Sequence, residues 1–500
     1  MFARLLLSLG LILSLSGCEQ PADPDRIRFG IASAPLNLDP RFATDATSER
    51  INRLLYQRLI DFDARGMPMP GIASWQQLSP YHYRFTLLSP RPRFSDGATL
   101  SAADVAATYR FVLDLENGSP HRSALALIEQ IAVVDQETID FHLARADALF
   151  PAYLVLGILP ERLIQSAHDF HQQPLGSGPF QFLSYPGPGQ LLLERRSDGQ
   201  RIELVEVKNP TVRLLKLLRG EIDLLQNDLS PELLGLLREE REVRVDARPG
   251  SNFSYIGLNL ADPLTGNPLI RQALAHGIDR AAIIQHLFRG DARPAETIFP
   301  PEHWAGTAEL PPYVYDPERA RALLREAGFG PDRPLRLSYK TSSDPFRLRL
   351  AVILQSQLRH IGVEIEIHSY DWGTFFGDIK AGRFQLYSLS WVGVRTPDIF
   401  RYIFASDSLP PGGANRGRYA SPEVDRLIDQ AEGTENLQQR ALRYRQIEQI
   451  LHQDLPYIPL WYEHQYSASA ERLEGYRLMA DGNYDGLQNV VLNQEQRERQ

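Results

Sequence analysis

The chain has 500 residues, 43% hydrophobic and 23% charged, the balance of an ordinary globular protein rather than of a disordered or membrane-embedded one. Its formal net charge is -9, and it has no basic run or basic–aromatic stripe, which argues against nucleic acid as a partner. Cys18 is the single cysteine, so no internal disulfide can form.

The first predicted element is a secretory signal over residues 1–17. Arg4 supplies the basic end, Leu5 to Leu13 the apolar stretch, and small residues lead to Gly17. The stretch falls short of the roughly 20 apolar residues that span a bilayer. Leu15-Ser16-Gly17-Cys18 resembles the lipobox of bacterial lipoproteins. That resemblance implies cleavage before Cys18, lipidation of its thiol and a membrane-anchored mature protein. Residues 18–25 then form a tether. Cleavage leaves about 480 residues, more than one core usually organises, so two or more lobes are expected.

Arg26 to Ser33 alternates with period two and reads as a strand, followed by the loop Ala34-Pro35-Leu36 up to Pro40. Thr47 to Ile60 has helical spacing, with Thr47 or Ser48 as its cap. A strand at His82–Leu87, a turn at Phe94–Gly97 and a helix opening on the capping box Ser101–Asp104 come next. Strands at 131–134, 138–143 and 191–195 mix with helices at 210–218 and 231–241. Ser254 to Leu260 reads as a strand and Asn267 to Phe288 as one long helical stretch. Leu335–Tyr339, the helix Phe346–His360 and Val363–Ser369 form a β-α-β unit, typical of α/β architecture. Helices at 421–431 and 436–453 follow, and residues 493–500 read as a polar tail.

No constellation for catalysis emerges. The chain lacks a G-x-S-x-G elbow, a Walker loop, H-E-x-x-H and C-x-x-C. Its histidines show no metal-ligand spacing, and neither a metal nor a cofactor is expected. Gly176-Ser177-Gly178-Pro179 reads as a turn into a strand, because no helix N-terminus follows it to cradle a phosphate.

Landmarks along nearly the whole mature chain resemble the family 5 extracellular solute-binding proteins. They are Leu38-Asp39-Pro40, Phe94–Gly97 with Ala103–Val105, Gly176–Phe180, and Gly257–Asn259 with Ile270–Leu274 and Ile278–Arg280. Tyr315 to Gly328, Leu358–Val363, Trp372, Trp391, Ser421–Asp425 and Pro456–Leu460 complete the order. The resemblance implies a two-lobed α/β periplasmic-binding-protein fold (type II, cluster C-like) with an extra subdomain in lobe I. Lobe I then covers residues 26–258, its subdomain about 50–170, lobe II covers 259–467, and 468–492 return to lobe I. Crossovers fall near 254–259 and 466–470. It further implies a non-catalytic, monomeric periplasmic component of an ABC importer. Such a component binds a peptide or peptide-like solute and meets permease and ATPase subunits. Family relatives for nickel chelates, haem or opines supply an alternative ligand class, and a non-transport sensor or assembly lipoprotein is a further one. Which membrane holds the anchor is left open; Glu19 follows Cys18.

Dipeptide- and oligopeptide-binding members place an Asp three residues after a cleft Trp to pair with the ligand ammonium. Trp391 matches that Trp, but Val394 stands at the Asp position. The position of the Arg that holds carboxylates in dipeptide binders falls near Thr341, beside Lys340. Asp398 is therefore expected to take the ammonium, and its change to Asn to weaken binding roughly tenfold or more. Arg395 or Arg416 is expected to face a carboxylate. Ala34, Pro35 and Leu36 are expected to approach solute through their backbone. Trp391, Trp372 and Tyr387 are read as an aromatic lining, and Asn415-Arg416 as part of a Gly-rich loop at the cleft.

Overall fold

The computed structural model describes residues 25–493. The signal, the lipobox cysteine Cys18, most of the tether and the tail beyond residue 493 lie outside the described residues. Among the described residues no helix is long and apolar enough to cross a membrane.

A mixed sheet of 11 strands runs through the molecule. Its order is Val363–Tyr370, Leu335–Ser342, Leu386–Trp391, Val243–Leu258, Tyr457–Ala470, Leu224–Gln226, Ile27–Ile31, Arg201–Glu206, Gln190–Arg195 and Phe180–Ser184. Ala292–Pro294 adds to Tyr457–Ala470. Two of these strands, of 16 and 14 residues, belong to both halves. Val243–Arg248 pair with Gln465–Ala470 beside the first half, and Asn252–Gly257 pair with Tyr457–Glu463 beside the second. The ladder slips register between Arg248 and Asn252. A break there interrupts the hydrogen-bond ladder and bends the strands, at the point where the halves join.

Each half has its own core, which makes the fold two-lobed. Ile27, Phe29, Leu204 and Leu224 share one cluster with Leu473, Tyr476, Tyr484 and Leu487, so the C-terminal segment packs back on the first strand. The second half buries both faces of its sheet. Helices Pro268–Gly277, Pro317–Glu326 and Pro345–Arg359 cover one face. Trp372–Lys380, Ile399–Phe404, Pro422–Glu432 and Leu437–Asp454 cover the other. The β-α-β unit is parallel, from Leu335↔Val363 to Ser342↔Tyr370. A four-stranded antiparallel sheet, order Ala73–Ser79, His82–Leu87, Thr138–Leu143, Ile128–Val133, packs with helix Ala102–Leu113 as a separate subdomain core.

Two local expectations are corrected. The stretch Asn267–Phe288 is two helices, Pro268–Gly277 and Arg280–His286. Asp279 caps the second by accepting from Ala282 N–H. The helix expected over 47–60 is Ala46–Leu55 with Asp45 as its cap. Ser48 is unavailable as cap because it is fully buried and its hydroxyl accepts from Asn37 N–H at 3.0 Å. Pro456–Leu460 opens the long strand Tyr457–Ala470.

Candidate functional site

The two halves face each other across the strand break, and the side chains there come from distant parts of the chain. On the first half, the loop after Ile27–Ile31 is tied down at both sides. Ala34 N–H donates to Glu206 at 3.0 Å, and Ser33 and Thr47 hydroxyls lie 3.1 Å apart. This holds Ala34-Pro35-Leu36 against the first turn of helix Ala46–Leu55 and leaves Leu36 76% exposed. Glu49 stands on that same turn, open to solvent but surrounded by protein on its other sides. Burial pushes its carboxyl up to about 7; Arg395 pulls the other way and Asp45 adds to the rise. Among the described residues its carboxylate makes no hydrogen bond or ion pair.

On the second half, strand Leu386–Trp391 runs antiparallel to Val243–Leu258 and delivers Trp391 opposite Phe253, beside the break. The chain then turns through Val392-Gly393-Val394. Val394 is half-buried against the aromatic core of that half. Arg395 reaches across to the first half, donating to Asp481 at 2.7 Å, with its guanidinium 5.8 Å from the Phe62 ring. His303 Nε2 donates to the Arg395 carbonyl at 2.9 Å. Arg395 is thus an interlobe contact with a counter-ion already in place. Asp398 begins helix Ile399–Phe404 and accepts from the Thr396 hydroxyl. Burial pushes its carboxyl up to about 6, with Thr396 lowering it and Asp147 raising it again.

Arg416 is placed differently. Asn415 is buried, and its amide donates to the carbonyls of Ala405 and Tyr419 at 3.0 and 2.7 Å while accepting from Tyr419 N–H. Its polar atoms are all engaged inside the loop, so it positions Arg416 rather than meeting solute. The Arg416 guanidinium lies 5.0 Å from the Trp391 ring and 5.2 Å from Phe376, and donates to Tyr255 Oη at 3.3 Å. Among the described residues it has no ion pair. Tyr255 stacks on Tyr457 at 4.0 Å, and the hydroxyls of Tyr387 and Tyr457 are buried without a hydrogen-bond partner. Burial works against the Arg416 charge, but the phenol oxygens of Tyr255, Tyr387 and Tyr457 more than offset it and hold its pKa above the usual value.

The structure therefore gathers Ala34–Leu36, Trp391, Val394 and Arg395 at the junction, with Arg416 behind Trp391. Tyr387 is fully enclosed and belongs to the Arg416 pocket. Trp372 is 56% exposed and stacks on Phe376 at 5.4 Å. Lys340, next to buried Thr341, is neutralised by Asp378 at 2.5 Å. Sequence reasoning missed Glu49, Asp481, Tyr255, Tyr457 and Phe376. One signal was present: Gly257 is a glycine because the Tyr387 ring fills the space a Cβ would need, which ties strand 243–258 to that pocket. The histidines, unremarkable by spacing, include a cross-strand pair that meets Asp140.

The model of the bacterial extracellular solute-binding proteins, family 5 Middle, matches residues 72–409. The chain is similar to di/tripeptide-binding protein 2 of Pseudomonas aeruginosa, 27% identical over 513 residues, with 94% of this chain and 96% of the relative covered. It is also similar to heme-binding protein A of Haemophilus influenzae, 26% identical, covering 92% and 91%. Among solved structures it resembles the periplasmic binding protein DppA of Helicobacter pylori in complex with the peptide STSA. That match has a TM-score of 0.77, 25% identity and coverage of 94% and 98%.

Proposed function

The chain belongs to the family 5 bacterial extracellular solute-binding proteins, and from that premise we propose that it captures a peptide or peptide-like solute between its lobes for an ABC importer. A permease and its ATPase subunits then receive the solute, and the protein itself catalyses nothing. Residues 1–17 direct export, and Cys18 carries the lipid that keeps the mature chain at the membrane. Labelled palmitate appearing in a Cys18→Ser chain would refute that anchor. We place the moving joint at 248–252 and 463–465, where the ladder slips.

One observation carries the reading: among the described residues Arg416, half-buried beside the cleft tryptophan, has no counter-ion. The guanidinium is held in its charged form, and an arriving carboxylate supplies the counter-ion it lacks. A guanidinium also grips a carboxylate by two parallel hydrogen bonds. The ligand ammonium then faces Glu49 from the opposite wall, which takes over from the residue missing at Val394. A second reading, a carboxylate-bearing ligand that is not a peptide, is supported by the same Val394 and by the heme-binding relative.

Calorimetric titration of the mature chain with a tripeptide, its C-terminal amide and its N-acetyl form tests the assignment. The free tripeptide is expected to bind, and each blocked form to bind about tenfold more weakly or worse. Arg416→Met should make acid and amide bind alike, and Glu49→Gln should do the same for free and acetylated amines. Tripeptide pools that give no heat, with one non-peptide molecule retained in the native mass spectrum, would overturn the peptide reading in favour of the second.

A further inference from the structure

Far from the cleft, the four-stranded sheet brings three metal-ligating side chains to one point. His82 lies opposite His142 and Arg84 opposite Asp140 in the ladder. Residues two apart share a face of a sheet, so all four side chains stand together. The alternate residues Tyr83, Phe85, Ile139 and Phe141 fill the subdomain core on the other side. One ligand atom from each of His82, Asp140 and His142 lies within 4.8 Å of the others. His82 Nε2 is enclosed and lies at ion-pair distance, 3.1 Å, from Asp140 Oδ2 without completing a hydrogen bond. Two donor atoms that converge without bonding each other suit a third atom between them. With zinc bonds of about 2.1 Å, neighbouring donors of a tetrahedral site lie about 3.4 Å apart.

We propose that His82, Asp140 and His142 bind a late first-row divalent cation of the zinc type, with water completing the shell. The imidazoles already face each other, with centroids 4.2 Å apart and planes 26° from parallel, so a small ring rotation brings His142 into reach. Asp140 stands opposite Arg84 in the ladder, on the face that also holds both imidazoles. Arg84 is also the competitor, donating to both carboxylate oxygens at 2.8 Å. Its side chain is 40% exposed and can swing into water when the cation enters. An ion held there joins strand His82–Leu87 to Thr138–Leu143, so binding stabilises the native state by mass action.

The chelator-stripped mature chain, titrated with Zn²⁺ by calorimetry and melted with and without it, decides the matter. One ion per chain and a raised melting temperature are expected. His142→Gln should weaken binding about tenfold or more, and His82→Gln likewise. Arg84→Met should tighten it, an outcome a plain hydrogen-bond network would not produce. Circular dichroism checks that each variant folds; should His82→Gln fail, His142→Gln and Arg84→Met still decide. Absence of saturable binding, or unchanged affinity in His142→Gln, would overturn the site and leave only adventitious binding among the twelve histidines.

Discussion

The residues proposed to hold solute are defined by what they lack. Arg416 has ring faces around it and, among the described residues, no carboxylate partner, whereas Arg395, only four residues after Trp391, already holds Asp481. The two arginines were equivalent as letters, and the difference is entirely one of neighbours. Asp398 makes the same point for acids. Its pKa, near 3.8 when unfolded, is raised to about 6 in the fold, first by burial. Between those values the native chain retains a proton that the unfolded chain has released. The stability this adds is full below about pH 4 and lost as pH rises through about 6. Asp398→Asn stays neutral throughout, so its urea midpoint should fall less between pH 4 and pH 7 than that of the parent. Equal falls would show that Asp398 is ionised in the native protein across that range.

Among the elements, the helix Ala46–Leu55 shows how a motif acquires its meaning from a partner. Gly176-Ser177-Gly178-Pro179 reads as a turn, and the chain bends at Gly178-Pro179 before entering strand Phe180–Ser184. Its glycines are required because the turn lies against the end of that helix. A Cβ at Gly176 or Gly178 would overlap the carbonyl oxygens of Leu55 and Leu54, and Gly178 N–H donates to the Leu55 carbonyl at 2.8 Å. Gly178→Ala must therefore shift backbone against backbone, and a loss of about 1–3 kcal/mol in denaturant unfolding is expected. A loss near zero would mean that the turn is free of the helix. The helix in turn carries Glu49 and, through Thr47 and Ser48, fixes the loop at 33–37. The break at Ile278–Asp279 was hidden because apolar spacing continues through it, and the Asp279 cap reads equally well as a surface acid.

At the scale of the molecule, ion pairs ring the joint. Arg395–Asp481 at 2.7 Å, Arg145–Glu432 at 3.3 Å, Arg349–Glu232 at 2.8 Å and Arg238–Asp291 at 2.7 Å each connect segments on opposite sides of the strand break. Part-exposed pairs contribute little each, about 0–1 kcal/mol, and salt screens them. They bias the lobes toward each other without locking them, which suits a protein that must release its solute. Arg395→Ala should raise the radius of gyration of the ligand-free chain in small-angle scattering, with the parent approaching the same value at high salt. Identical curves for parent and variant at low salt would remove Arg395 from the closing contacts.

Taken alone, the amino-acid order determined the class of the molecule. Period-two runs, the β-α-β unit at 335–370 and the landmarks from Leu38 to Leu460 are local patterns, and local backbone preference and alternating burial suffice to specify them. It also exposed the missing acid at Val394, since one letter at one spacing is enough for that. Only the tertiary structure decided which charges stay unpaired. Glu49 meets the Arg395 field, Arg416 sinks among rings from three strands and one helix, and His82 faces His142 because sheet pairing joins residues far apart in the chain. Electrostatic energy depends on separation in space and on desolvation, and neither can be read from position along a chain.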